Sequence, residues 1–135
     1  MSDERTIELY NTSFENCVSQ TGFLPRFYDL FIASSPAIRD KFKHTDLKRQ
    51  VRILKRSLYT LTMASVGTHE AEREILRLRE THGPCGLGIE PFMYDLWLDC
   101  LLQAVREFDN AWTPDVERSW RATLEPHIAR LEGRS

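Results

Sequence analysis

The sequence predicts an all-α fold, and three observations carry that expectation. Apolar residues recur at three- and four-residue intervals along most of the chain. Prolines 36, 91 and 114 stand where helices would begin, at the first-turn position whose missing N–H costs nothing. No stretch shows the convincing two-residue alternation of a half-buried strand.

Residues 4–20 open the chain as a helix, with Ile7, Tyr10, Phe14 and Val18 as its inward candidates at spacings of three, four and four. Gly22 interrupts. A dense aromatic helix follows from Phe23 to Ser34, carrying Phe27, Tyr28, Phe31 and Ile32. Ser34-Ser35-Pro36 reads as a stop and a restart into a short helix. Thr45 and Asp46 are good caps for the next helix, on which Leu47, Val51, Leu54, Leu58 and Leu61 form one apolar stripe. The stretch Thr68 to Thr81 is charged but keeps Ile75 and Leu78 on one side, and the Gly/Pro-rich run after His82 must end it. Pro91 restarts a strongly apolar helix through Phe92, Leu96, Trp97, Leu101, Ala104, Val105 and Phe108. Thr113-Pro114-Asp115 combines a cap, a first-turn proline and an acid near the positive end of the dipole. The last helix then carries Val116, Trp120, Leu124, Ile128 and Leu131.

Composition narrows the function classes. At 135 residues, with no repeat and no linker, the chain reads as a single domain over 1–135. It is 41% hydrophobic and 28% charged, an ordinary globular balance. A net charge of -2 argues against nucleic acid or an anionic membrane as partner. No apolar run is long enough to span a bilayer, and the polar, acidic start is no secretory signal, so the expected location is cytoplasmic. Cys17, Cys85 and Cys100 are too scattered for a disulfide framework or a zinc site. Cys17 and Cys100 are expected to pack as reduced, apolar-like thiols, whereas Cys85 lies in the Gly/Pro loop.

The candidate chemistry centres on His82. Ile75, Leu78 and His82 are three and four apart, so the imidazole shares the apolar side of its helix. Read alone, it serves equally as a core histidine or as a cation at a helix C-terminus. Two further polar groups enlarge the question. Tyr28 sits among Phe27, Phe31 and Ile32, and Gln50 borders the stripe between Leu47 and Leu54. A buried phenol and a buried amide need partners, which they find in each other, in the backbone, or in a ligand. An apolar cavity offering an imidazole, a phenol and an amide also suits a diatomic ligand on iron.

Several of these positions agree in register with a known family. Phe27-Tyr28-x-x-Phe31, then Pro36, then Phe42, resembles the helix B to CD-corner signature of bacterial globins. Gln50 to His82 is 32 residues, similar to the distal-to-proximal separation in bacterial single-domain globins and flavohemoglobins. His82 to Tyr94, followed by Trp97 and Leu101-Leu102, resembles the helix F to helix G junction, and Trp120 matches a tryptophan frequent early in helix H.

The resemblance implies a globin fold of helices A-B-C-E-F-G-H, with a short corner and helix D absent. It implies heme b (iron protoporphyrin IX) held by His82 as metal ligand. The implied pocket is Tyr28, Phe42, Gln50, Leu54, Leu78, Thr81, His82, Ile89, Tyr94 and Trp97. Phe42 would pack on the heme face, Leu54 over the iron and Ile89 at the porphyrin edge. Because the corner is short, Val51 and Arg49 stand beside Gln50 as candidates for the distal position. The glutamate that pairs with the Tyr94 position in flavohemoglobins would fall near Ser135, so that carboxylate is missing, and Thr81 is left to orient the imidazole. The basic run Lys48, Arg49, Arg52, Lys55 and Arg56 reads as a solvated helix flank, from which Arg49 or Arg52 would reach a heme propionate; His44 is a further candidate for that role.

The function so implied is reversible binding of O2, with CO and NO as further ligands, for oxygen transport, storage or gas sensing. An alternative from another class is nitric oxide dioxygenation, with an external reductase as partner. A heme-free globin-fold sensor or interaction module is the third. Helices G and H, rich in apolar residues, are candidate homodimer surfaces.

Overall fold

A computed structural model describes residues 3–64 and 91–131. Its helices are α1 (Asp3–Val18), α2 (Phe23–Ala33), α3 (Pro36–Lys41), α4 (Leu47–Ala64), α5 (Pro91–Phe108) and α6 (Pro114–Leu131). No strand occurs among the described residues. The expected helix between Thr68 and Thr81 lies outside them.

Local chemistry fixes the boundaries. The Ser35 hydroxyl accepts a hydrogen bond from the Ala37 N–H at 3.2 Å, and Pro36 takes the first helical position of α3. Asp46, rather than Thr45, caps α4, its carboxylate accepting from the N–H groups of Lys48 (3.1 Å) and Arg49 (3.3 Å). Thr113 caps α6 by accepting from the Val116 N–H at 3.2 Å, with Pro114 next and Asp115 and Glu117 in the first turn. Pro126 lies inside α6 on its exposed side, where the carbonyl one turn back goes without a backbone donor.

Two helix pairs form the body of the fold. The first and last helices pack together, with Trp120 fully buried against Tyr10 and Phe14 at ring separations of 4.9 and 6.1 Å. The Trp120 indole N–H donates to the Ser13 hydroxyl at 2.9 Å, satisfying a polar group that would otherwise be orphaned in the core. The second pair is α2 with α5, joined by Phe23 on Phe108 at 5.9 Å and by a bidentate Arg26–Glu107 pair at 2.8 and 3.2 Å. Gly22 lies against this crossing, where a Cβ would make an ordinary van der Waals contact with the Phe108 ring at 3.4 Å. Helix α4 closes against α1: the Thr62 hydroxyl is committed to the Leu58 carbonyl at 2.8 Å, so the Tyr10 phenol donates to Thr62 at 2.7 Å. At the end of α5 the buried Asp109 carboxylate accepts from the Ala111 N–H at 2.9 Å and from Asn16 at 3.3 Å.

Three residues expected inside stand outside. Ile7 is 43% exposed, Leu47 38% and Phe92 41%. Ile7 lies one turn before Tyr10, where α1 first meets its neighbours, and Leu47 opens α4 before that helix reaches the core. At the start of α5 the inward residue is Met93, one position on from Phe92. Cys17 is fully buried as expected, and Cys100 is half-buried. Among the described residues no helix is long and apolar enough to cross a membrane.

Candidate functional site

The aromatic sequence of α2 places Phe27, Tyr28 and Phe31 on its buried side. Phe42 arrives from the end of α3, held by its own N–H donating to the Ile38 carbonyl at 3.2 Å. Its ring meets Tyr28 at 5.9 Å and Phe31 at 5.8 Å, both edge-on. Phe27 completes the circuit, edge-on to Tyr28 at 5.0 Å and stacked on Phe31 at 5.4 Å. From α5, Trp97 adds a fifth ring, edge-on to Phe27 at 6.0 Å. Such tilted arrangements are the favoured ones for aromatic quadrupoles. The result is a contiguous aromatic wall spanning α2, the corner after α3, and α5.

Helix α4 borders this wall, and its register is set by the Asp46 cap. The Tyr28 phenol donates to the backbone carbonyl of Gln50 at 3.3 Å, a long bond joining the wall to the first turns of α4. Burial pushes the Tyr28 phenol well above its ordinary value. It therefore stays protonated at any ordinary pH and is a hydrogen-bond donor, not a phenolate.

The expected site residues fall into two groups. Tyr28, Leu54 and Tyr94 are buried, and Phe42, Gln50 and Trp97 are half-buried. Of the two other distal candidates, Val51 is half-buried and Arg49 is exposed. Leu78, Thr81, His82 and Ile89 lie outside the described residues, as does Cys85. The structure brings Tyr28, Phe42, Gln50 and Trp97 into one neighbourhood through the contacts above. Phe27 and Phe31, read from sequence as part of a motif, are the pieces that bind the wall together.

A cleft elsewhere has different chemistry. A cleft of about 320 Å³ between α5 and α6 is lined by Tyr94, Asp95, Leu98, Asp99, Arg121, Glu125 and Ile128. Arg121 reaches Asp99 at 3.3 Å, Glu125 at 3.5 Å and Glu117 at 3.9 Å, so its charges are largely paired among themselves. Among the described residues no three His, Cys, Asp or Glu side chains are placed to hold a metal ion.

No family model and no curated protein matches the chain. Among solved structures it is similar to protein PA3967 of Pseudomonas aeruginosa PAO1, described as structurally highly homologous to human hemoglobin. The identity is 34%, the match covers 95% of this chain and 96% of that one, and the TM-score is 0.89. The chain belongs to the globin family. The all-α architecture of this globin, as read from the helical periodicity, agrees with that membership.

Globins as a family imply heme, and the wall permits a test of fit. Phe42, Val51, Leu96 and Trp97, from the corner, α4 and α5, pack on the core yet stay only half-buried. A broad, flat, apolar group suits such a surface, and the protonated Tyr28 hydroxyl lies beside it. The described residues of the globin therefore fit the group.

Proposed function

We propose that this globin binds heme against the Phe42–Trp97 surface and uses it to bind O2 and other diatomic ligands reversibly. When bound, heme would supply an iron able to take up small diatomic ligands, and His82 is the residue that would hold it. The observation that carries the reading is the buried, protonated Tyr28 hydroxyl beside a half-buried aromatic surface. Its bond to the Gln50 carbonyl is long, at 3.3 Å, and so is weak enough to be exchanged for a better acceptor. Phe27 and Phe42 hold the phenol ring edge-on, and Leu54 is buried one turn along α4 from Gln50. Gln50, half-buried at the same turn, is the second candidate donor.

The test is the visible spectrum of the purified protein, reconstituted with hemin, in ferric, reduced and CO-bound forms. Wild type is expected to bind heme stoichiometrically and to respond to reduction and CO, while His82→Ala loses the histidine-ligated signature. Tyr28→Phe is expected to speed O2 release roughly five- to twelvefold, a neutral hydrogen bond to a desolvated ligand contributing on the order of 1–1.5 kcal/mol. An unchanged release rate removes Tyr28 from the distal role. Failure of wild type to retain heme overturns the proposal as a whole and leaves a heme-free module.

A further inference from the structure

Helix α4 carries Lys48, Arg49, Arg52, Lys55 and Arg56 and not one carboxylate, in a chain whose net charge is -2. Elsewhere the sequence has 13 cations against 20 carboxylates, and three of those cations, Arg39, Lys41 and Lys43, lie just ahead of the helix, so the positive charge is concentrated on α4 and its approach. All five side chains are exposed, and none forms an ion pair among the described residues.

Such an arrangement is locally unfavourable. Arg52 has Lys48 and Arg49 one turn behind it and Lys55 and Arg56 one turn ahead, four like charges at the spacings where side chains are neighbours. Lys48 and Arg49 also sit in the first turn, at the positive end of the helix dipole. A stripe whose only duty is solubility alternates its signs and gains from those pairs. Among the described residues this one forgoes the gain, while α6 uses it in the Arg121–Glu117 and Arg121–Glu125 pairs.

We infer that the outward face of α4 is a docking surface for an acidic protein. Two observations favour a protein over an extended polyanion. Ile53 and Tyr59, 39% and 41% exposed, stand on the same helix, and a mixture of arginine, tyrosine and aliphatic surface is the chemistry of protein interfaces. A long polyanion, duplex or bilayer, would also run past α4 and its basic approach toward a remainder that is acidic in composition, with 10 cations against 18 carboxylates outside residues 39–56. A compact acidic patch meets the helix alone. The inward side of the same helix carries Gln50 and Leu54, so the docked protein lies about 10–12 Å from the aromatic wall, one helix diameter. The inference goes beyond the proposed ligand chemistry and takes the exposed Arg49 and Arg52 as facing a partner rather than a heme propionate.

The experiment compares wild type with Arg52→Glu and Arg52→Glu/Arg56→Glu. Binding is measured at low ionic strength to three labelled probes: a glutamate–tyrosine copolymer, duplex DNA, and phosphatidylserine–phosphatidylcholine vesicles. Wild type is expected to bind the copolymer and to lose about tenfold in affinity with Arg52→Glu, more with both changes, and similarly with added salt. The melting temperature of Arg52→Glu is expected to rise by roughly 2–5 °C, because four repulsions become attractions. Unchanged copolymer binding in the variants overturns the inference. So does tighter binding of DNA or vesicles than of the copolymer, or wild-type self-association that Arg52→Glu abolishes. A fall in melting temperature also overturns it, since Arg52 then has its partner within the fold.

Discussion

Removing one hydroxyl from the centre of the molecule should be disproportionately costly. Ser13 is 1% exposed and Trp120 is fully buried, and their 2.9 Å hydrogen bond joins residues 107 apart in sequence. Ser13→Ala deletes the acceptor but keeps the indole, leaving an N–H in the apolar core with nothing to bond. The cost of such an orphan is about 1–3 kcal/mol, against about 1 kcal/mol for an average hydrogen bond lost with both partners. The Ser13 hydroxyl also lies against the Cys17 thiol, so a value near 2 kcal/mol is expected. With a urea slope of about 2 kcal/mol/M, the unfolding midpoint followed by helical circular dichroism should fall by roughly 1 M. The control is the same change in a Trp120→Phe background, where no donor remains to be stranded. There Ser13→Ala should cost less than half as much, a coupling of about 1 kcal/mol between two residues on opposite ends of the chain. Equal costs in the two backgrounds, or a loss under about 0.5 kcal/mol in the first, would refute the orphaned-donor argument.

Alkaline conditions should destabilise the fold by a related route. Burial lifts the Tyr10 phenol from 10.0 to about 12, and burial with Asp109 nearby lifts the Cys17 thiol from 9.0 to about 12; Tyr28 is raised as well. The unfolded chain therefore gives up these protons first, so stability is complete below about pH 9 and falls as pH rises toward 12. Urea midpoints at pH 8 and pH 11 check this, and a flat profile would mean the phenols are hydrated. Cys17 should resist alkylation at pH 8 in the native state and react on unfolding, with half-buried Cys100 intermediate; mass spectrometry of the labelled chain reads the order. Asp46→Ala should cost about 1 kcal/mol by uncapping α4, whereas Asp46→Asn should cost little; equal losses would point to charge rather than capping.

Much of the fold was legible because its punctuation is local. A proline at the first helical position fixes where α3, α5 and α6 begin, and each starts at that residue. What a period of three and four cannot say is which turn of a helix first meets a neighbour. Ile7, Leu47 and Phe92 fit their stripes and are nonetheless exposed, each lying at the edge of or beside the turn that makes contact. The site was half legible for a similar reason. Tyr28 and Gln50 were singled out as polar groups bordering apolar faces, and they do adjoin. Their link, however, runs to a backbone carbonyl, which no side-chain pattern encodes. The Ser13–Trp120 bond was invisible, since nothing about a serine in a helix announces a partner so remote in sequence.

The pairing of α1 with α6 has a consequence for how the protein is made. Val18 ends one helix and Pro114 begins the other, 96 residues later. At ribosomal rates of about 5–20 residues per second, roughly 5–20 seconds separate their synthesis. Through that interval Tyr10 and Phe14 exist without the indole that covers them, and α5, complete only at Phe108, becomes available to α2 just six residues before α6 begins. A nascent chain therefore passes through a stage with a bare aromatic strip near its start, and any pause before Trp120 emerges prolongs it. Chaperone engagement in living cells should concentrate on that strip and end abruptly once the final helix is released.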